Sequence, residues 1–143
     1  MTTISAHRVL KPTLNRTLLG SVVGGMIFGM LMQMMNMIKT VAMLVSSTST
    51  GVGWLIHLVI SMVFGIAFLI GLSAIPLRAP AAIIGLLYGV VLWVVGFLVI
   101  MPLKLHMSLF HFDSMAWKSL MGHMIYGLIL AIIATRELDS VAK

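Results

Sequence analysis

Four long apolar runs separated by short polar breaks organise this chain. They cover Thr17 to Ile38, Trp54 to Ile75, Pro80 to Met101 and about Ala116 to Ala134. At 1.5 Å rise per residue each reaches roughly 28–33 Å, the thickness of a bilayer's hydrocarbon core. None alternates with period two, as a barrel strand would, and a segment in lipid must satisfy its own backbone amides, which requires helices. The pattern therefore predicts an all-α integral membrane four-helix bundle, antiparallel and up-down, as one domain over residues 1–143.

The connections differ in kind. SAIPLRAP, Ser73 to Pro80, is short and proline-bounded, which predicts that the second and third helices form a tight antiparallel pair. VSSTSTG, Val45 to Gly51, reads as a flexible polar link. LKLHMSLFHFDSM, Leu103 to Met115, is too polar to cross and too apolar to float free, so it is expected to lie in the membrane interface. Pro76, Pro80 and Pro102 all fall at expected helix boundaries, and no helix shows the mid-membrane break of secondary carriers. The first run follows His7, Arg8, Lys11 and Arg16, yet it is too long for a signal-peptide core and lacks a small-residue cleavage pattern, so it is read as a retained helix.

Composition agrees with a lipid solvent: 61% of residues are apolar and only 8% charged, too few to coat a soluble domain. The net charge of +6 is scattered between the runs rather than gathered into a nucleic-acid-binding patch. It is a topology signal instead. Arg8, Lys11, Arg16, Arg78, Arg136 and Lys143 fall on one side and Lys39, Lys104 and Lys118 on the other, which predicts N-in/C-in, with both termini in the cytoplasm of a bacterial inner membrane. Trp54 and Trp117 open their helices on the outer side, where an aromatic belt belongs.

Each helix carries small residues four apart: Gly25 and Gly29, Ser61 and Gly65, Gly85 and Gly89, Gly127 and Ala131. In lipid, close backbone approach across such residues favours helix packing. Continued outward, these stripes reach Gln33, His57 with Ser61, and His123 with Ser119, at depths of about 5–10 Å from the outer helix ends. Gln33, His57 and His123 are thus expected to meet inside the bundle, with His106 and His111 of the outer segment close by.

Three chemistries are open to this cluster. It is a hydrogen-bonded plug that fixes helix register, or an imidazole group that takes up protons near neutral pH, or a metal site. Copper suits thioether with imidazole, and Met30, Met32, Met34, Met35 and Met37 crowd the outer half of the first helix; zinc and a haem b held by His57 and His123 are the other metal readings. Enzyme chemistry finds no purchase: the only acids are Asp113, Glu137 and Asp139, and there is no cysteine.

Three stretches carry a family resemblance. HLVISMVFG (His57 to Gly65), GLLYGVVLWVVGFLVIMPL (Gly85 to Leu103) and FDSMAW running on to MGHMIYG (Phe112 to Gly127) resemble the YagU-type bacterial inner-membrane proteins. The likeness covers helices 2 to 4, and the first helix matches only in its small residues. Those relatives have a longer insert between helices 1 and 2, and can carry a histidine where this chain has Phe97. The resemblance implies a multi-pass protein without established activity, associated with acid tolerance. The sequence as a whole is read as a non-enzymatic membrane protein of structural or accessory role, with the bilayer, a homo-oligomer or a larger membrane complex as its partner. The alternatives are a proton- or copper-responsive or transporting protein and a haem-binding anchor.

Overall fold

A computed structural model describes residues 11–75 and 79–135. Arg8, Arg78, Arg136 and Lys143, on which much of the charge asymmetry rests, lie outside the described residues, as do His7, Pro76, Glu137 and Asp139. The described chain forms α1 (Leu14–Met34), α2 (Ile38–Met43), α3 (Thr50–Ala74), α4 (Ala81–Leu105) and α5 (Ser114–Thr135). No strand occurs among these residues, and α1, α3, α4 and α5 are long and apolar enough to cross a membrane. The amide of Thr13 donates to the carbonyl of Ala134 (3.4 Å), so α1 begins beside the end of α5. We call the opposite end of the bundle distal.

The first helix ends earlier than hydropathy predicts. The run expected over 17–38 is helical only to Met34, because Asn36 takes a left-handed conformation (φ 57°). The Met37 amide bonds the Met32 carbonyl (2.8 Å) and the Asn36 amide bonds that of Gln33 (3.1 Å), a Schellman closure with asparagine in the place where glycine is commonest. Ile38, Val41 and Ala42 then turn inward on the short helix α2, which packs against α3 at Gly53. A β-branched residue pays heavily for a positive φ. Asn36→Val is expected to cost about 1–2 kcal/mol and Asn36→Gly less than about 0.5 kcal/mol, measured by denaturant titration in detergent.

Packing runs in the order α3–α1–α5–α4. This corrects the expectation of a tight α3–α4 pair: the two share a short connection, yet their backbones hardly approach. The reason lies in where the small residues face. Gly85 and Gly89 press against the backbone of Gly127 and His123 on α5, while Gly25 and Gly65 receive Ser61 and Ser21 across the α1–α3 contact. A Cβ on Gly20 would come within 3.1 Å of the Leu130 carbonyl, so α1 and α5 are also in close, though looser, contact there. These contacts take α3 to α1 and α4 to α5, leaving α3 and α4 facing each other across a gap.

The fourth helix is also irregular. Trp93–Ile100 winds as a π-helix, and the Met101 amide bonds the carbonyl of Gly96, five residues back. Pro102 lies inside α4 rather than at its boundary, as expected from sequence, and has no amide hydrogen to offer the preceding turn. The Leu98 carbonyl, which an ordinary residue 102 would satisfy, instead accepts from the Phe110 amide (3.2 Å). That bond folds the chain after α4 back onto it. The connection that follows is exposed at Met107, Phe110 and Phe112, and ends where Asp113 Oδ1 accepts from the Ala116 amide (2.8 Å) to cap α5.

Candidate functional site

The gap between α3 and α4 is bridged in its proximal part by Tyr88, whose hydroxyl donates to the Phe64 carbonyl (2.5 Å) and whose ring meets Phe68. Distal to this bridge lies a cavity of about 180 Å³. Gly96, on the widened π-turn, contributes no side chain to fill it. Phe28, Met32, Ile60, Phe64, Leu92 and Phe97 are among its lining, and the space is chiefly apolar. Of its lining, Ile60, Phe64 and Phe97 are half-buried and Ile100 is exposed, so the cavity is not sealed deep within the bundle.

One wall is polar, and the local sequence explains how each group is held. His57 is buried one turn before Ser61, and its Nε2 donates to the Gly25 carbonyl of α1 (2.9 Å). Ser61 Oγ donates back to the His57 carbonyl (2.8 Å), and the Tyr126 hydroxyl of α5 donates to the Ser61 carbonyl (2.5 Å). A hydroxyl bonding four residues back is how serine satisfies itself inside a helix. On α5, His123 Nδ1 donates to the Ser119 carbonyl (2.8 Å). Phe28 stands edge-on to both imidazoles, with ring centroids 5.4 Å from His57 and 4.7 Å from His123.

These bonds fix tautomers. With Nδ1 donating, the neutral ring of His123 presents Nε2 as an acceptor, and no described residue bonds it. A Cβ placed on Gly96 would sit 4.0 Å from that nitrogen, so it faces the open part of the cavity. The arrangement therefore offers a chiefly apolar space with a free ring nitrogen on its polar wall. His57, by contrast, has spent its donor on a neighbouring helix.

Of the residues singled out from sequence, His57, Ser61 and His123 line this one cavity. Gln33 does not join them: it is exposed, and its Oε1 accepts from Trp54 Nε1 (2.9 Å). The expected approach of His106 and His111 to the buried pair is also not found. His106 is exposed on the α4–α5 connection with a left-handed backbone (φ 55°), and lines neither cavity described here. His111 lies beside Asp113 (3.7 Å) and lines a second cavity of about 210 Å³ nearer the distal end. Met37, Phe97 and Met101 belong to both cavities and form the wall between them.

Phe28, Gly96 and Tyr126 complete the site without having been singled out for it, and Ser119, expected on the face of His123, lines it too. A tyrosine within MGHMIYG was the available signal, since a hydroxyl in an apolar helix needs a partner. A haem between His57 and His123 does not fit, because the His57 Nε2 is committed to Gly25 and Phe28 packs against both rings. Among the described residues no three His, Asp or Glu side chains converge, so the donor set of a zinc site is not assembled there.

Comparison with known proteins gives one family. A family model described as "Family of unknown function (DUF6789)" matches residues 6–140, and carries no specific link to the YagU-type proteins. No curated protein and no solved structure matches the chain.

Proposed function

The chain belongs to the DUF6789 family of unknown function, and we propose that it is a non-catalytic membrane protein that holds a small, mostly apolar molecule in the cavity between α3 and α4. The observation that carries this reading is the pairing of a chiefly apolar lining with an unbonded ring nitrogen, His123 Nε2. Apolar cavities of about 150 Å³ in soluble proteins stay dry and take up benzene. A cavity of about 180 Å³ suits one ring or a short chain segment. The acceptor selects an occupant bearing one hydroxyl or similar donor, and the partly exposed lining residues indicate lateral access from lipid.

We further propose a bacterial inner-membrane location with both termini cytoplasmic, on the distribution of Lys and Arg along the sequence. The cavity then lies in the periplasmic half of the bilayer. Outward side chains such as Leu55, Ile70 and Leu87 are covered by lipid or by partner subunits, which accords with an accessory role in a larger assembly. The YagU-type resemblance supports the same class of protein and brings an association with acid tolerance.

The test uses p-cresol and toluene, equal in ring size and different by one hydroxyl. Protein in lipid nanodiscs is expected to bind p-cresol at least tenfold more tightly than toluene, by ligand-observed NMR. Gly96→Leu fills the cavity from a position where a Cβ meets only ordinary contacts, and is expected to abolish both interactions while the protein stays folded. Binding of both compounds unchanged in Gly96→Leu would refute the reading.

A further inference from the structure

The second cavity has a different chemistry. Its walls carry five methionines, Met35, Met37, Met101, Met107 and Met115, together with His111. These come from the α1–α2 turn, the distal part of α4, the α4–α5 connection and the first turn of α5. Their convergence is therefore a product of the fold and not the stripe of one helix. Methionine commonly serves as a flexible filler of irregular cores. Here five methionines line a space that they leave open, and His111 lines it with them.

Thioether sulfur is a soft, neutral donor, and imidazole accepts soft and borderline metals. Asp113 Oδ2 stands 3.7 Å from His111 Nε2, beyond hydrogen-bond distance, while its other oxygen caps α5, so a carboxylate lies near the ring. Divalent metals of the zinc type find no matching set, since no three His, Asp or Glu side chains converge among the described residues. Charge points the same way. Thioethers and imidazole are neutral, and Asp113 brings the single carboxylate of the lining; one negative charge balances a singly charged cation, and desolvating a doubly charged one costs more because that cost grows with the square of the charge.

We propose that this distal cavity binds a soft monovalent cation, Cu(I) or its analogue Ag(I), through methionine sulfur and His111. The site is separate from the one proposed above: Met35, Met107 and Met115 line only the distal cavity. Its occupant is a cation arriving from the aqueous side, past the exposed Met107.

The test titrates the full chain in nanodiscs with silver nitrate in chloride-free buffer, Ag(I) being inert to redox cycling. Saturable binding is expected, with Zn(II) unable to compete. Met35→Leu with Met107→Leu and Met115→Leu preserves side-chain volume and is expected to weaken Ag(I) at least tenfold; His111→Leu is expected to weaken it severalfold. Met30→Leu with Met34→Leu, whose side chains are 54% and 81% exposed, should leave it within twofold. Binding of p-cresol serves as the folding control, because the three substituted methionines do not touch that cavity. Absence of saturable Ag(I) binding, equal loss in the Met30/Met34 variant, or displacement by Zn(II) overturns the proposal, and retained p-cresol binding then leaves the apolar-ligand reading standing.

Discussion

Gly127→Val is expected to leave no stable bundle. Gly127 and Gly85 face each other with each backbone carbonyl lying where the other's Cβ would be, and the amide of Gly89 would sit 2.8 Å from a Cβ on Gly127. Those neighbours are main chain and cannot rotate away, so α4 and α5 must separate along their whole contact. Overpacking a protein interior costs about 1–3 kcal/mol when side chains can adjust; with backbone on both sides the cost should exceed about 3 kcal/mol. The loss reaches further, because α4 has its main packing partner in α5. Gly71→Val is the matched control. Nothing lies within 4 Å of a Cβ there, and the change should stay within about 0.5 kcal/mol. Thermal unfolding in a mild detergent separates the two: a cooperative transition near the wild-type midpoint for Gly71→Val, and none for Gly127→Val. A Gly127→Val protein with near-native thermal stability would show that these helices do not depend on the approach.

The existence of four membrane helices was readable from run length alone, since hydropathy over some twenty residues averages out local detail. Their ends were not. Met37 and Ile38 continue the apolar run of the first helix, and only the backbone of Asn36 shows that the chain has already turned. Pro102 looked like a terminator, which is proline's usual place. It is tolerated within α4 because Phe110, eight residues on, supplies the missing donor, a tertiary compensation that no local pattern encodes. The same holds for the gap between α3 and α4. A short proline-bounded turn limits how far apart the helix ends lie, but the glycine faces of α1 and α5 decide which neighbours each helix keeps.

Helical-face arithmetic placed the site partly and failed at its rim for a definite reason. Gly25, Gly29 and Gln33 do follow one another along α1 toward the same neighbour, α3. A Cβ on Gly25 would meet Ser61, and one on Gly29 would meet Trp54 and His57; one turn further, Gln33 meets the indole nitrogen of Trp54. Trp54 thus takes the amide before it reaches the histidines. His57 and His123 do line one cavity, but the aromatic ring between Gln33 and that cavity was not visible in spacing. The five methionines of the distal cavity were still less legible. Met35 and Met37 belong to the crowded methionines of the first apolar run, whereas Met101, Met107 and Met115 join them only through the turn after Asn36 and the fold-back from Leu98 to Phe110.

The two buried histidines should separate cleanly when each is replaced by leucine. His57 Nε2 joins α3 to α1 through the Gly25 carbonyl, so His57→Leu removes an interhelical hydrogen bond. Such bonds in membrane proteins are worth about 0.6 kcal/mol on average and up to about 1.7 kcal/mol. This one is buried beside Phe28, so a loss of about 1–1.5 kcal/mol is expected, with p-cresol binding weakened no more than threefold. His123 Nδ1 bonds a carbonyl of its own helix, which fixes no neighbour. His123→Leu gives up the edge-on contact with Phe28 but no hydrogen bond between helices, so it should cost less stability than His57→Leu. Its effect falls on the ligand: the preference for p-cresol over toluene should vanish, because the acceptor facing the cavity is gone while the apolar walls remain. Unfolding titrations and the two ring compounds measure both quantities on the same samples. If His123→Leu keeps the phenol preference, or if the two variants lose stability alike, then both imidazoles serve only to hold helices together and the free nitrogen has no part in recognition.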